Sequence, residues 1–593
     1  MASSLAAERP AAAARRAWRS NALVPALVLA AGLAAVPVLG SDFLAYQIAL
    51  FLIYGIATQG VALCWGRLGF LPLGHGLFFG LGAYLAGGSL KAAVAQPWWM
   101  LGVIAALLLP AALAWVVARL VFARSLRSGP YFSLITLAMT MLGFLAAQQW
   151  SSVTGGFNGL GDIPELPGLD RFGSLYWLIA CVAVATTALL GVLLRRPIGV
   201  IWSAIAQNED RMQLFGYATD RIKAQAYALS AFLAALAGAL FSVHQGIVTP
   251  QAMDFVLSTE FVIWAAVGGK ASPLGALMGA VLVGYASSEL RDHFAYWEVL
   301  VGLLFIGVVR FLPQGLAGLL ARRGVSEVPA PEPRIAPPSR RPQAVPELVF
   351  DAVRASQSGV RILDGLSLSL RGPGIRAVIG PNGAGKTSAF NAMTGRLPVR
   401  AGRIRVAGVD ITGQSAWKVA RLGVGRKLQI PSVFPALSVA QNLSVALWAG
   451  RLHGFEMLQS DPLAWRTVLR DELLARFPEL AEQQAKPAGA LSQGHRQALE
   501  LVMTLLPEPQ LVLLDEPCAG LSPAETHRMI AVIVDAVRGL GAAALLIEHD
   551  LAAVAALQGE VFVLHQGRLL AQGPLASLQS NPEVRAVYAG ARK

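Results

Sequence analysis

The sequence predicts a polytopic α-helical membrane domain of about ten spans followed by an α/β domain organised on a phosphate-binding loop. Three observations carry that expectation. Of 593 residues, 55% are hydrophobic and only 14% charged, far from a soluble average. Apolar stretches of about 20 residues, the length of a bilayer-spanning helix, recur as far as Leu320 and then stop. From Glu347 the pattern turns to short β-branched runs, one of which leads into GPNGAGKT, Gly380 to Thr387.

The chain divides into an N-terminal segment (1–21), a transmembrane domain (22–321), a Pro-rich linker (322–346) and a nucleotide-binding domain (347–593). Arg9, Arg15, Arg16 and Arg19 precede the first apolar run, a basic flank that stays in the cytoplasm beside an uncleaved first helix. Spans are expected near 22–39, 43–65, 70–90, 97–122, 131–150, 174–194, 223–244, 256–270, 273–288 and 296–313. Threaded from a cytoplasmic start, they place Arg119, Arg124, Arg127, Arg195, Arg196, Arg211, Arg221, Lys223 and Lys270 inside. Only Lys91, Arg171 and Arg291 fall outside, so the positive-inside rule is satisfied. An even count returns the chain to the cytoplasm. The net charge of +13 is thus largely a topology signal, which makes membrane lipid the partner it implies and argues against nucleic acid. Cys64, Cys181 and Cys518 stand too far apart for a metal cluster or disulfide framework.

The outer loop Ser151 to Gly173, rich in Gly and Pro and carrying Asp162, Glu165 and Asp170, is either a docking surface for an extracytoplasmic partner or a connector. In the inner loop Arg195 to Lys223, Glu209 precedes Gly216 by seven residues, the pattern of a short amphipathic helix capped by glycine. His75 and Glu260 are ionisable groups at membrane depth, where an unpaired charge costs at least about 2.5 kcal/mol. Each is a candidate for the solute path or a group satisfied locally. Gly66, Gly69, Gly74, Gly76, Gly80 and Gly82 read as close-packing positions between helices. The linker, too rich in Pro and charge to form a core, reads as a semi-extended tether.

In GPNGAGKT the glycines let backbone N–H groups curl around phosphate oxygens without Cβ clashes. Gly380, Asn382, Gly383 and Gly385 shape the loop, Lys386 reaches the β/γ-phosphates, and the Thr387 hydroxyl is a ligand for Mg²⁺. Ile375 to Ile379 reads as a buried strand entering the loop. Ser388 to Thr394 opens a helix whose N-terminus favours anions. LSQGH, Leu491 to His495, opens another helix, so that Ser492 and the Gly494 backbone are positioned to face a γ-phosphate. LVLLDE, Leu511 to Glu516, is a strand that delivers two carboxylates to its end. Asp515 would hold Mg²⁺ and Glu516 would polarise the attacking water.

With these motifs in this order, the chain resembles an ABC importer of the branched-chain amino acid/amide type, with permease and ATPase fused. The resemblance implies ATP hydrolysis with Mg²⁺, and a place in the bacterial inner membrane with the ATPase domain cytoplasmic. It makes Gln429, in GRKLQIPSVFP, the residue that contacts Mg²⁺ or the attacking water and touches the coupling segment. It makes His549, in LLIEHD, a switch contacting the γ-phosphate, and makes the loop 195–223 the coupling segment. It implies a second permease subunit, a second ABC ATPase subunit, because ATP is sandwiched between two of them, and a periplasmic solute-binding protein.

The sequence departs from the family pattern at several positions. LSQGH replaces LSGGQ at Gln493 and His495, Ser522 stands where many members have Asp, and Gln357 stands where an adenine-stacking aromatic is expected. GRKLQIPSVFPALSV, LSQGHRQALEL, YFSLIT and EFVIWAAVGG look more like the urea and short-chain amide branch. The scarcity of fixed charge in the spans points the same way, placing urea or amides slightly ahead of branched-chain amino acids. The alternatives are an exporter or flippase, whose usual six long spans fit poorly, and a membrane ATPase without transport.

Overall fold

A computed structural model describes residues 24–590, apart from 94–95, 97, 123–128, 321–333, 342–344, 358 and 558. The segment 1–21 and residues 322–333 and 342–344 of the expected tether lie outside the described residues. The chain forms two compact units, one of residues 1–206 with 220–330 and one of residues 207–219 with 331–593.

The first unit is helical: α1 (Val24–Leu39), α2 (Asp42–Ala62), α3 (His75–Ala93), α4 (Trp99–Phe122), α5 (Gly129–Gln149), α6 (Leu175–Arg195) and α7 (Pro197–Gln207). After α8 (Glu209–Leu214), which belongs to the second unit, come α9 (Thr219–Gln245), α10 (Phe255–Gly268), α11 (Pro273–His293) and α12 (Trp297–Phe311). A helix lies in each of the ten expected spans. Among the described residues, six helices are long and apolar enough to cross a membrane by length and composition. Sequence signals set the ends: Ser41 caps α2 by accepting from the Leu44 N–H, and Ser272 caps α11 by accepting from the Gly275 N–H, with Pro273 at its first position. The glycines expected to pack closely mostly do so. A Cβ at Gly66 would overlap the Lys270 carbonyl, one at Gly80 the Met253 side chain and one at Gly82 the Ala235 backbone. Gly69 serves differently, turning the chain at φ +78°.

The outer loop is pinned rather than loose. Leu160 bridges Val248, and Arg171 donates to the carbonyls of Val243 and Ile163.

The second unit holds β1 (Arg334–Ile335), β2 (Glu347–Gln357), β3 (Val360–Arg371), β4 (Gly374–Ile379), α13 (Lys386–Met393), β5 (Val399–Val406), β6 (Val409–Asp410), β7 (Val424–Lys427) and β8 (Trp465–Arg466). It continues with α14 (Gln493–Leu505), β9 (Leu511–Asp515), α15 (Pro523–Gly539), β10 (Ala543–Ile547), β11 (Glu560–His565) and β12 (Arg568–Pro574). The central sheet runs β12-β11-β4-β10-β9-β7, parallel but for the β11–β12 pair. An antiparallel sheet, β3-β2-β5-β6, stands beside it, and one apolar core spans both. β9 and β10 are buried along their whole lengths, as continuous apolar runs in a parallel sheet require.

The linker corrects the tether expectation. Its described part is docked: β1 pairs with β8, the Arg340 N–H donates to the Gly450 carbonyl, and Arg451 donates to the Pro337 carbonyl. Pro and charge exclude a core of its own but not strand pairing against a neighbour.

Candidate functional site

β4 delivers its chain into the phosphate loop, where Gly380, Gly383 and Gly385 adopt φ of +153°, +80° and +98°. A side chain at Gly380 would also collide with the Leu564 carbonyl, so both backbone angle and space demand glycine there. The Lys386 ammonium lies back over the loop, donating to the carbonyls of Gly380 (2.7 Å) and Pro381 (3.1 Å). Burial lowers its pKa, opposed by Glu516 and Asp515. Lys386 and Thr387 open α13, with Ser388 next, and Asn382 sits in the turn before it.

β9 brings Asp515 and Glu516 to the same end of the sheet. Thr387 Oγ1 donates to Asp515 Oδ1 at 3.3 Å. Burial raises the Asp515 carboxyl above the ordinary range, opposed by Arg426 and by the Thr387 hydroxyl. Glu516 leaves the strand at φ +44°, a left-handed angle that non-glycine residues seldom adopt. Its carboxylate is held from two sides: Gln429 Nε2 donates to Oε2 at 2.9 Å, and His549 Nε2 lies 2.9 Å from Oε1. Residues from three separate stretches thus meet at one carboxylate.

Ser492 caps α14 by accepting from the His495 N–H, so the replacement of the usual Gln by His leaves the cap intact. Gly494 lies beside Glu525: a Cβ there would meet Glu525 Oε1 at 2.9 Å. Ser522 caps α15 through a reciprocal capping box with Glu525, which explains why a serine serves where Asp is common. Cys518 is buried, its N–H bonded to Glu548, and burial pushes its thiol up to about 12, out of reach of nucleophilic chemistry. Gln357 is exposed at the end of β2.

The segment 207–219 belongs to this unit. α8 begins at Asn208, which caps it, and turns at Gly216 with φ +95°. Arg211 and Glu500, both 0% exposed, pair at 3.4 Å, and Arg211 also donates to the Arg426 carbonyl (2.6 Å) and to Thr504 (2.9 Å). Lys427 approaches the other Glu500 oxygen at 3.6 Å. Neighbours on a strand point to opposite faces. So Lys427 faces Glu500 while Arg426 faces Asn391, Thr394 and, at 3.9 Å, Asp515. Burial holds the Arg426 pKa down to about 10, against the pull of Asp515. Beyond β7, Gln429 reaches Glu516 while Ser432 accepts from Asn208 at 2.8 Å. Two short paths therefore join α8 to the carboxylates, one through β7 and one through the stretch after it.

Sequence reasoning missed Arg211, Arg426, Lys427 and Glu500 as a group. The signal was a glutamate inside the apolar face of α14 and two adjacent bases inside a buried strand. Glu209, by contrast, makes a local bond, accepting from Thr219 at 2.8 Å.

In the first unit His75 and Glu260 stand in different surroundings. His75 is buried with Nε2 2.5 Å from Ser230 Oγ, a neutral partner. Glu260 lines a cavity with Arg291 and Trp297, and His75 is not among its walls.

A parallel sheet feeding a phosphate loop from β4, with a paired Asp–Glu at the end of β9 two strands away, defines an ATP-binding cassette joined to a membrane domain. Residues 43–309 match the family described as the permease component of the branched-chain amino acid transport system, and residues 363–519 match the ABC transporter family. The branched-chain amino acid transport ATP-binding protein BraF of Pseudomonas aeruginosa is 34% identical over 39% of this chain and 93% of its own length. LivG of Salmonella typhimurium, of the same description, is 31% identical over 41% of this chain and 98% of its own. A solved nucleotide-free ATP-binding cassette aligns over 41% of this chain and 98% of its own at 23% identity, with a TM-score of 0.36. The chain belongs to the ABC transporters, as a fused permease and ATPase of the branched-chain amino acid importer type. It is a multi-pass membrane protein that binds ATP and couples its hydrolysis, on the cytoplasmic side, to transport.

Proposed function

We propose that this chain imports branched-chain amino acids. It does so with a second permease subunit, a second ABC ATPase subunit and a periplasmic solute-binding protein. The names of BraF and LivG favour this solute over urea or short amides, for which the support was a likeness in short motifs and the scarcity of fixed charge in the spans. The observation that carries the mechanism is the Glu516 carboxylate held between Gln429 and His549 beside the phosphate loop.

In this reading Glu516 takes a proton from the attacking water, and Gln429 and His549 fix its two oxygens in place. Lys386 and the N–H groups of Gly380, Asn382, Gly383, Gly385, Thr387 and Ser388 hold the phosphates. The Thr387 hydroxyl, the Asp515 carboxylate and the Gln429 amide oxygen form a hard oxygen set suited to Mg²⁺, which needs few protein ligands when phosphates supply the rest. Mg²⁺ bound there would neutralise charge developing on the phosphates. Ser492 and the Gly494 backbone face the γ-phosphate held by the partner ATPase. α8 transmits the change at Glu516 through Arg211 and Asn208. Uptake of labelled leucine into vesicles, dependent on ATP and the cognate binding protein, tests the reading. ATP hydrolysis stimulated by urea or acetamide but not by leucine would overturn it.

A further inference from the structure

The second charged residue expected within the spans, Glu260, stands in the wall of a cavity of about 190 Å³ together with Arg291. That volume equals roughly six waters at about 30 Å³ each. Glu260 lies five residues into α10, about 7.5 Å along the helix at a 1.5 Å rise per residue. Arg291 lies two residues before the end of α11. The turn 269–272 joins α10 to α11, so the start of one and the end of the other lie together, at the end opposite Lys270. The charge threading places that end on the outer side.

The chemistry of the cavity is divided. Arg291 rests over the Trp297 ring, 4.7 Å from its centroid, which fixes the guanidinium in the wall. Glu260 supplies the opposite charge, and Leu50, Ile263 and Val301 supply apolar surface. From this juxtaposition, and resting on the amino acid reading above, we propose that the cavity is an outer subsite for a zwitterion with a compact apolar side chain. Arg291 takes the carboxylate, Glu260 takes the ammonium, and the aliphatic wall takes the side chain. Urea offers neither charge. Glu260, expected among the few charges of the spans, thus shares one wall with Arg291, expected at their outer end. A phosphatidylethanolamine headgroup carries the same pair of charges and is the other source of such a ligand.

The test is equilibrium retention of labelled leucine by the full chain in nanodiscs, compared with 4-methylpentanoate, which lacks the ammonium, and isoamylamine, which lacks the carboxylate. Glu260→Gln is expected to weaken leucine about tenfold or more, as for loss of a hydrogen bond to a charged group, while leaving 4-methylpentanoate unchanged. Arg291→Gln is expected to weaken leucine similarly and leave isoamylamine unchanged. Glu260→Asp and Arg291→Lys, which keep the charges, should retain more leucine than the neutral variants, separating ligand contact from misfolding. Leucine retention unaffected by both neutral variants, in a protein whose wild type imports leucine, overturns the subsite alone. A wild type that imports urea and not leucine overturns the solute reading and the subsite with it. Leucine retention seen only when phosphatidylethanolamine is absent from the nanodisc supports a shared headgroup site, and an effect of the variants on the lipid alone overturns the amino acid assignment.

Discussion

In the membrane unit His75 is held by Ser230, His244 by the Tyr46 carbonyl and Gln59 by Thr187, all neutral partners. In the nucleotide unit, Arg211, Glu500 and Lys427 meet as charges, all three 0% exposed, and Arg426 faces Asp515 nearby. A buried ion carries a desolvation penalty of several kcal/mol that pairing only partly offsets, so apolar replacements are often equally stable. The contrast teaches that charges gather into one fully buried group where α8 meets the ATP site, whereas in the membrane unit they stand in separate places, Lys223 over the Phe122 ring and Glu260 with Arg291 in a cavity wall.

The contrast can be broken most severely at the carboxylate itself. Glu516→Gln should lower hydrolysis by about 10²- to 10⁴-fold, the usual contribution of a positioned base, with ATP binding retained. A variant hydrolysing ATP at more than about a third of the wild-type rate would contradict the assignment of the base.

Next in size is the buried pair. Arg211→Met takes from Glu500 one of its two buried cationic partners and should destabilise the nucleotide unit by about 3 kcal/mol, whereas removing the whole triad, Arg211→Met with Glu500→Met and Lys427→Met, should recover most of that loss. Denaturant unfolding of the full chain in detergent measures it; additive losses would mean that the three residues do not act as a group.

The linker sharpens the comparison. Arg341 is buried, donates to the Phe215 carbonyl at 3.1 Å, and has its pKa lowered to about 10 by burial and by Arg451. Arg341→Ala should cost about 1–3 kcal/mol, the price of an unsatisfied buried group, and expose the 207–219 segment to faster hydrogen exchange. Unchanged exchange would return the linker to a plain tether. The smallest effect is expected at Ser522, where Ala should cost about 0.5–2 kcal/mol through the lost cap while Asp should be nearly neutral. A larger loss with Asp would show that the serine has a task besides capping.

Much of this was legible in the residues. GPNGAGKT, LSQGH and LVLLDE each carry their own local structure, so the strand, loop and helix around the phosphate site follow from short stretches. Glycine spacing likewise marked the close helix packing, and Glu209 with Gly216 bounded α8. What could not be read was which side chain of α8 enters the nucleotide unit. Glu209 and Arg211 look alike in a charged loop, and only the fold puts Arg211 opposite Glu500, 289 residues away. The docking of Arg334 to Arg341 was hidden for the same reason. Its pairing partner, β8, is a two-residue strand with no signal of its own.

In the proposed mechanism α8, through Arg211, ties solute movement to hydrolysis at Glu516. The direct measurement is the ratio of leucine imported to ATP hydrolysed in vesicles for wild type, Arg211→Met, Glu500→Met and the double variant. The account predicts that each single variant lowers the ratio severalfold and that the double variant falls no further than the worse single. A ratio for Arg211→Met equal to that of the wild type would contradict it.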